Sequence, residues 1–147
     1  MNRIKNFLTV CTGVCLLAAM AAAQPNVVGT FNGRVSIDES QVKIKDPQQR
    51  KQFESMLGDF RSIRLELVVN RDRTFRITRS GPNKLVVTGT WTQKGNQLTL
   101  KELRHNGKEL PEKLQAESNF TVSSDGRTIT QADRSPMALR VTYTRAR

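Results

Sequence analysis

Cysteine occurs only at Cys11 and Cys15, both inside an apolar run near the N-terminus, and histidine only at His105. Beyond residue 15 the chain therefore has no means of building a disulfide framework, a cysteine zinc site or a thiol nucleophile. A histidine-centred triad or metal set needs several partners, and around His105, in the polar stretch Arg104-His105-Asn106-Gly107, none gather in sequence. His105 is expected to be a surface turn residue. The nine glycines are scattered, with no Gly-rich phosphate loop among them. Neighbouring acids do occur, at Asp38-Glu39 and from Glu109 to Glu112, but on polar connecting segments, whereas a catalytic pair needs burial to separate its two pKa values. Neither enzyme chemistry nor a cofactor or metal is expected.

What is present begins with a leader. Arg3 and Lys5 precede the apolar stretch Phe7 to Met20, and Ala21-Ala22-Ala23 supplies the small residues that a signal peptidase reads. Cleavage after Ala23 makes residues 1–23 a signal peptide and residues 24–147 the mature domain, in the periplasm or outside the cell. The apolar stretch falls short of the ~20 residues of a membrane helix, so no span remains after cleavage. Cys11 and Cys15 lie too early and follow Val10 and Val14, contexts unsuited to lipid attachment.

Basic residues are in excess, 24 against 13 acidic. Loss of Arg3 and Lys5 with the leader leaves 22 against 13, a net charge of +9. Such a surface favours anionic partners, and for an exported protein an anionic envelope polymer is a better candidate than nucleic acid.

The mature stretch reads as strands. Gly29, Phe31, Gly33, Val35 and Ile37 alternate with polar residues, and the two glycines predict a bend. Asp46-Pro47-Gln48-Gln49 predicts a helix start, with Phe53, Met56, Leu57 and Phe60 at helical spacing and Gly58 as its closing residue. From Ile63 onward period two dominates: Ile63 to Val69, Phe75 to Thr78, Leu85 to Thr92, Gln97 to Arg104, Ser118 to Ser123, Arg127 to Gln131 and Leu139 to Arg145. Ser80-Gly81-Pro82-Asn83, Lys94-Gly95-Asn96, Asn106-Gly107 and Asp125-Gly126 mark turns between them. One apolar and one polar face per strand predicts an all-β antiparallel meander of about eight strands, with one short helix between the first and second.

Three segments carry a resemblance: Leu65 to Phe75 through Asn70-Arg71-Asp72-Arg73-Thr74, Gly89-Thr90-Trp91 through Leu100, and Ser124-Asp125-Gly126-Arg127-Thr128-Ile129-Thr130. In these the chain resembles the small lipocalin-like proteins exported by bacteria. The resemblance implies a calycin-type up-and-down barrel with the Gly-x-Trp tryptophan packed inside, and agrees with Leu85, Val87, Gly89 and Trp91 sharing one face. Gly-x-Trp lies mid-chain here, whereas a lipocalin proper carries it on the first strand, where this sequence has Gly29-Thr30-Phe31. Where such hairpins usually carry Asp-Gly the chain has Asp72-Arg73, which places Arg73 in a left-handed conformation costing roughly 1 kcal/mol relative to glycine.

Two candidate surfaces follow from parity. Phe31, Leu65, Phe75, Trp91, Phe120 and Tyr143 point inward, with Arg79 and Arg145 inward near strand ends; this set is the candidate lining for a small hydrophobic or amphipathic ligand. Arg64, Arg73 and Arg76, in an arginine-rich hairpin on the outer face, are the candidate anion contacts, through which the chain would instead act as an interaction module. That face lacks interleaved aromatics, which disfavours nucleic acid.

Overall fold

The computed structural model describes residues 23–81, 83–132 and 139–147. The expected cleavage site after Ala23 borders residues 1–22 and the turn signal at Pro82 is a single position, both outside the described residues.

Nine antiparallel strands form one sheet: β1 (Gly29–Ile37), β2 (Arg64–Val69), β3 (Thr74–Ser80), β4 (Leu85–Lys94), β5 (Gln97–His105), β6 (Lys108–Glu109), β7 (Glu117–Val122), β8 (Thr128–Ala132) and β9 (Leu139–Arg145). Each pairs with its sequence neighbour except that β5 pairs with both β6 and β7, and the sheet closes where β9 meets β1, Gly33 opposite Tyr143 and Val35 opposite Val141. The result is the antiparallel meander that the alternation predicts, closed into the eight-stranded up-and-down barrel that the resemblance implies, with β6 as a short extra strand.

The helix α1 (Pro47–Ser62) bridges β1 and β2. Asp46 caps it, its Oδ1 accepting from the Gln48 amide at 2.7 Å, with Pro47 at the first position where no donor is lost. The expected stop at Gly58 is overrun by a full turn. Gly58 is solvent-facing, and a helix interior tolerates it at about 1 kcal/mol relative to alanine. Closure comes instead at Ile63, in extended backbone, where the Ser62 hydroxyl donates to the Asp59 carbonyl and the Arg64 guanidinium to the Arg61 carbonyl, each at 2.7 Å. Sixteen residues long, α1 exceeds the short helix expected, and it buries only Leu57 fully.

The barrel has two unlike ends. At one, the segment Pro25 to Val28 crosses the opening. The Gln93 amide donates to the Pro25 carbonyl on one side; on the other the Arg145 guanidinium donates to the carbonyls of Asn26 (2.6 Å), Val28 (2.9 Å) and Gly126 (3.1 Å) while stacking 4.6 Å from the centre of the Phe31 ring. Val27, 1% exposed, plugs the space between. Above this seal Phe31, Leu67, Phe75, Leu98, Leu100 and Ile129 are buried completely or nearly so. At the other end, where β1 leaves for α1, the inward-facing Val35, Ile37, Leu65, Ile77, Leu85 and Val141 are only partly buried. This end is the mouth.

Two glycines shape the wall between. A side chain at Gly33 would strike the Tyr143 ring at 2.5 Å, so this glycine seats the tyrosine rather than merely bending β1. At Gly89 a Cβ would overlap the Lys101 carbonyl, because β5 carries an extra residue here: Thr88 faces Arg104 while Gly89 faces Glu102.

Candidate functional site

The predicted inward residues separate by depth. Phe31, Phe75, Trp91, Phe120 and Tyr143 all point inward and are at most 8% exposed. Phe120 and Tyr143 pack edge to face, 6.1 Å between ring centres, and the Trp91 indole donates to the Asn70 carbonyl at 2.9 Å. This group closes the interior of the sealed half. Leu65 and Arg79 belong to the mouth, opposite each other across β2 and β3.

Arg79 stands in a cleft of about 220 Å³ between the last turns of α1 and the β3–β4 turn, with Met56, Phe60 and Ile63 as apolar lining and Asp59 on the rim. Its Nε donates to the Asn83 carbonyl at 3.2 Å, and no carboxylate among the described residues pairs with it. The side chain is partly buried. A guanidinium held on one bond keeps its remaining donors for a carboxylate or phosphate. The helix side of this cleft depends on long-range packing, which period-two reading cannot supply.

Two strands round the barrel, on β5, lies a pair that the sequence did not single out. Glu102 faces the interior, and the His105 ring meets it, Nε2 to Oε2 2.8 Å, with both side chains mostly shielded. His105 is thus not a surface turn residue: it ends β5 opposite the buried Val87, and the turn is Asn106-Gly107, both at positive φ as a tight hairpin requires. The extra residue in β5 explains the difference, since strict alternation from Leu98 and Leu100 puts Glu102 inward but His105 outward. Tyr143 lies near enough to feel the carboxylate. Burial, and then the charge of Glu102, push the Tyr143 phenol well above its ordinary range, and its hydroxyl bonds none of the described residues.

Of the outer-face candidates, two are already engaged. Arg64 donates to the Arg61 and Ile63 carbonyls at 2.7 and 3.3 Å, serving the end of α1. Arg73 adopts φ 68°, the left-handed position that Asp72-Arg73 predicts. That position lays its guanidinium over Trp91, 5.0 Å from the ring centre, and a cation–π contact of about 0.5–1 kcal/mol offsets most of the conformational cost. The Arg76 side chain is exposed and, among the described residues, has neither hydrogen bond nor ion pair.

Among the described residues, no three His, Cys, Asp or Glu side chains converge as metal ligands do, and no helix is long and apolar enough to cross a membrane. No protein-family model matches the chain, and neither characterised proteins nor solved structures yield a significant match.

Proposed function

We propose that this protein is an exported, non-enzymatic, lipocalin-like barrel that holds a small amphipathic acid at its mouth, apolar chain inward and headgroup at Arg79. The observation that carries this reading is the cleft with Met56, Phe60 and Ile63 as apolar lining, in which Arg79, set between the partly buried Leu65 and Leu85 across the strands, is held by one carbonyl and no ion pair among the described residues. Orientation follows from charge. Glu102, deeper on the inner wall and two strands round from Arg79, repels a carboxylate that goes deep, whereas Arg79 attracts one that stays at the edge. The cleft, at about 220 Å³, is smaller than the ~300–1,000 Å³ of a site enclosing a drug-sized ligand, and so suits a headgroup and the first carbons of a chain. Periplasmic or extracellular residence rests on the leader at residues 1–23.

Fluorescence titration with dansyl-undecanoic acid and its methyl ester tests the reading. Arg79→Ala is expected to weaken the acid about tenfold, the equivalent of one charge-assisted hydrogen bond, and to leave the ester nearly unchanged. Equal losses for the two probes, or no binding of either by the wild type, rejects it.

A further inference from the structure

The outer face of β3 to β6 carries a second feature, independent of the mouth. Cross-strand register puts Arg76 opposite Thr88, Thr88 opposite Arg104 and Arg104 opposite Glu109; the next row runs Thr74, Thr90, Lys101. The extra residue in β5 dents this face into an open groove of about 400 Å³, with Arg76 and Arg104 on its walls, Thr74, Thr88, Thr90 and Leu103 along it, and Glu109 as its one carboxylate. Strands lie about 4.8 Å apart, so the backbones of Arg76 and Arg104, two strands apart, are about 10 Å from each other.

The cations in it are unspent. Arg76, Lys101 and Arg104 are exposed, and among the described residues no carboxylate lies within ion-pair distance of any of them; Glu109, across the ladder from Arg104, and Glu66 on β2 likewise form no ion pair among the described residues. Two guanidinium groups and Lys101 this near one another, against the single carboxylate of Glu109, leave the local potential positive, an arrangement that draws polyanions. Between them the groove offers threonine hydroxyls, which both donate and accept, matching the hydroxyls of a sugar. Its one aromatic lining residue, Phe75, points inward and is 1% exposed, and no outward position of β2 to β5 is aromatic, so nucleobases have no open ring to stack on.

We infer that this groove is a binding site for an acidic polysaccharide, whose carboxylates alternate between Arg76 and Arg104 while its hydroxyls meet the threonine row. Arg64 and Arg73, occupied by the helix end and by Trp91, stand outside it. The site lies on the opposite side of the barrel wall from the proposed ligand mouth, and neither requires the other.

Binding of polygalacturonate to the mature protein, followed by biolayer interferometry at 50 and 200 mM salt, tests the inference. Wild-type affinity is expected to fall about tenfold over that range, the counterion release of two neutralised charges. Arg76→Ala and Arg104→Ala each weaken binding about fivefold at low salt and reduce its salt dependence. Arg140→Ala, an exposed arginine on β9 with the same change in net charge, leaves it within twofold. Circular dichroism of these surface variants checks that all three remain folded. An equal loss in Arg140→Ala, absence of wild-type binding, or tighter binding of single-stranded DNA than of polygalacturonate overturns the inference.

Discussion

The two halves of this barrel use the same strands for different ends. In the sealed half every inward position is filled: Phe31, Leu67, Leu98 and Ile129 are inaccessible to solvent, and the one inward arginine, Arg145, has three carbonyls and an aromatic ring for partners. In the mouth half the inward arginine, Arg79, has one carbonyl, and its aliphatic neighbours are partly wet. A barrel of eight strands has an interior barely wider than its side chains. Packing one half to completion leaves the other free to be loose and polar without forfeiting stability.

The sharpest test of that division is truncation on either side. Trp91→Ala, in the sealed half, is expected to cost about 3–5 kcal/mol in urea unfolding through transfer and cavity terms. Leu85→Ala, in the mouth, is expected to cost only about 1 kcal/mol, within the ordinary range for a partly exposed site. Equal costs would show that the mouth is as tightly packed as the seal.

The arginines provide the next comparison. Arg145→Leu strands the carbonyls of Asn26, Val28 and Gly126, and a loss of about 2–3 kcal/mol is expected; Arg79→Leu strands only that of Asn83, which solvent reaches, and changes stability by less than about 0.5 kcal/mol. Thermal unfolding of the two variants side by side measures the difference.

At the boundary between the halves, Tyr143 makes stability depend on alkali. Its folded pKa is raised, so above pH ~10 the unfolded chain gives up this proton while the folded one retains it, and the contribution present below that pH is lost as pH rises. Stability is expected to fall by up to about 1.4 kcal/mol per pH unit above pH 10 from this group, and Tyr143→Phe removes that share of the slope. A variant with an unchanged slope would mean that Tyr143 ionises freely. One effect is a gain: Gly58→Ala in α1, where an added methyl meets nothing within 4 Å, is expected to stabilise by about 0.5–1 kcal/mol in the same unfolding measurement.

Strand parity carried most of this architecture before any coordinates. Alternation along Leu85, Val87, Gly89 and Trp91 survives because a sheet buried on one face allows no slip of register without exposing all four. Asp46-Pro47 marks the helix start for the same kind of local reason, a cap and a residue with no donor to lose. What stayed hidden is non-local or interrupts the period. The two residues of β6 are too few to alternate. The extra residue in β5 turned His105 inward against the count, although a lone glycine within a strand, here Gly89, is the usual mark of such a place. The cleft at Arg79 needs Met56 and Phe60 from a helix some twenty residues upstream, a proximity that only tertiary packing creates.

The seam between β1 and β9 has a kinetic consequence. Phe31 is paired with Arg145 and Ile37 with Leu139, so the contacts that turn an open sheet into a barrel join positions more than a hundred residues apart in the chain. Such distant pairings close slowly, because the loop entropy is surrendered before the contacts return anything. A chain emerging from its N-terminus holds β1 as an unsatisfied edge until β9 arrives, and during that wait it is open to pairing with other chains. Arg34 and Ser36 on one lip of the seam, and Arg140 on the other, place charge and polarity along both edges, a repulsion between molecules that ends once each barrel has met its own last strand.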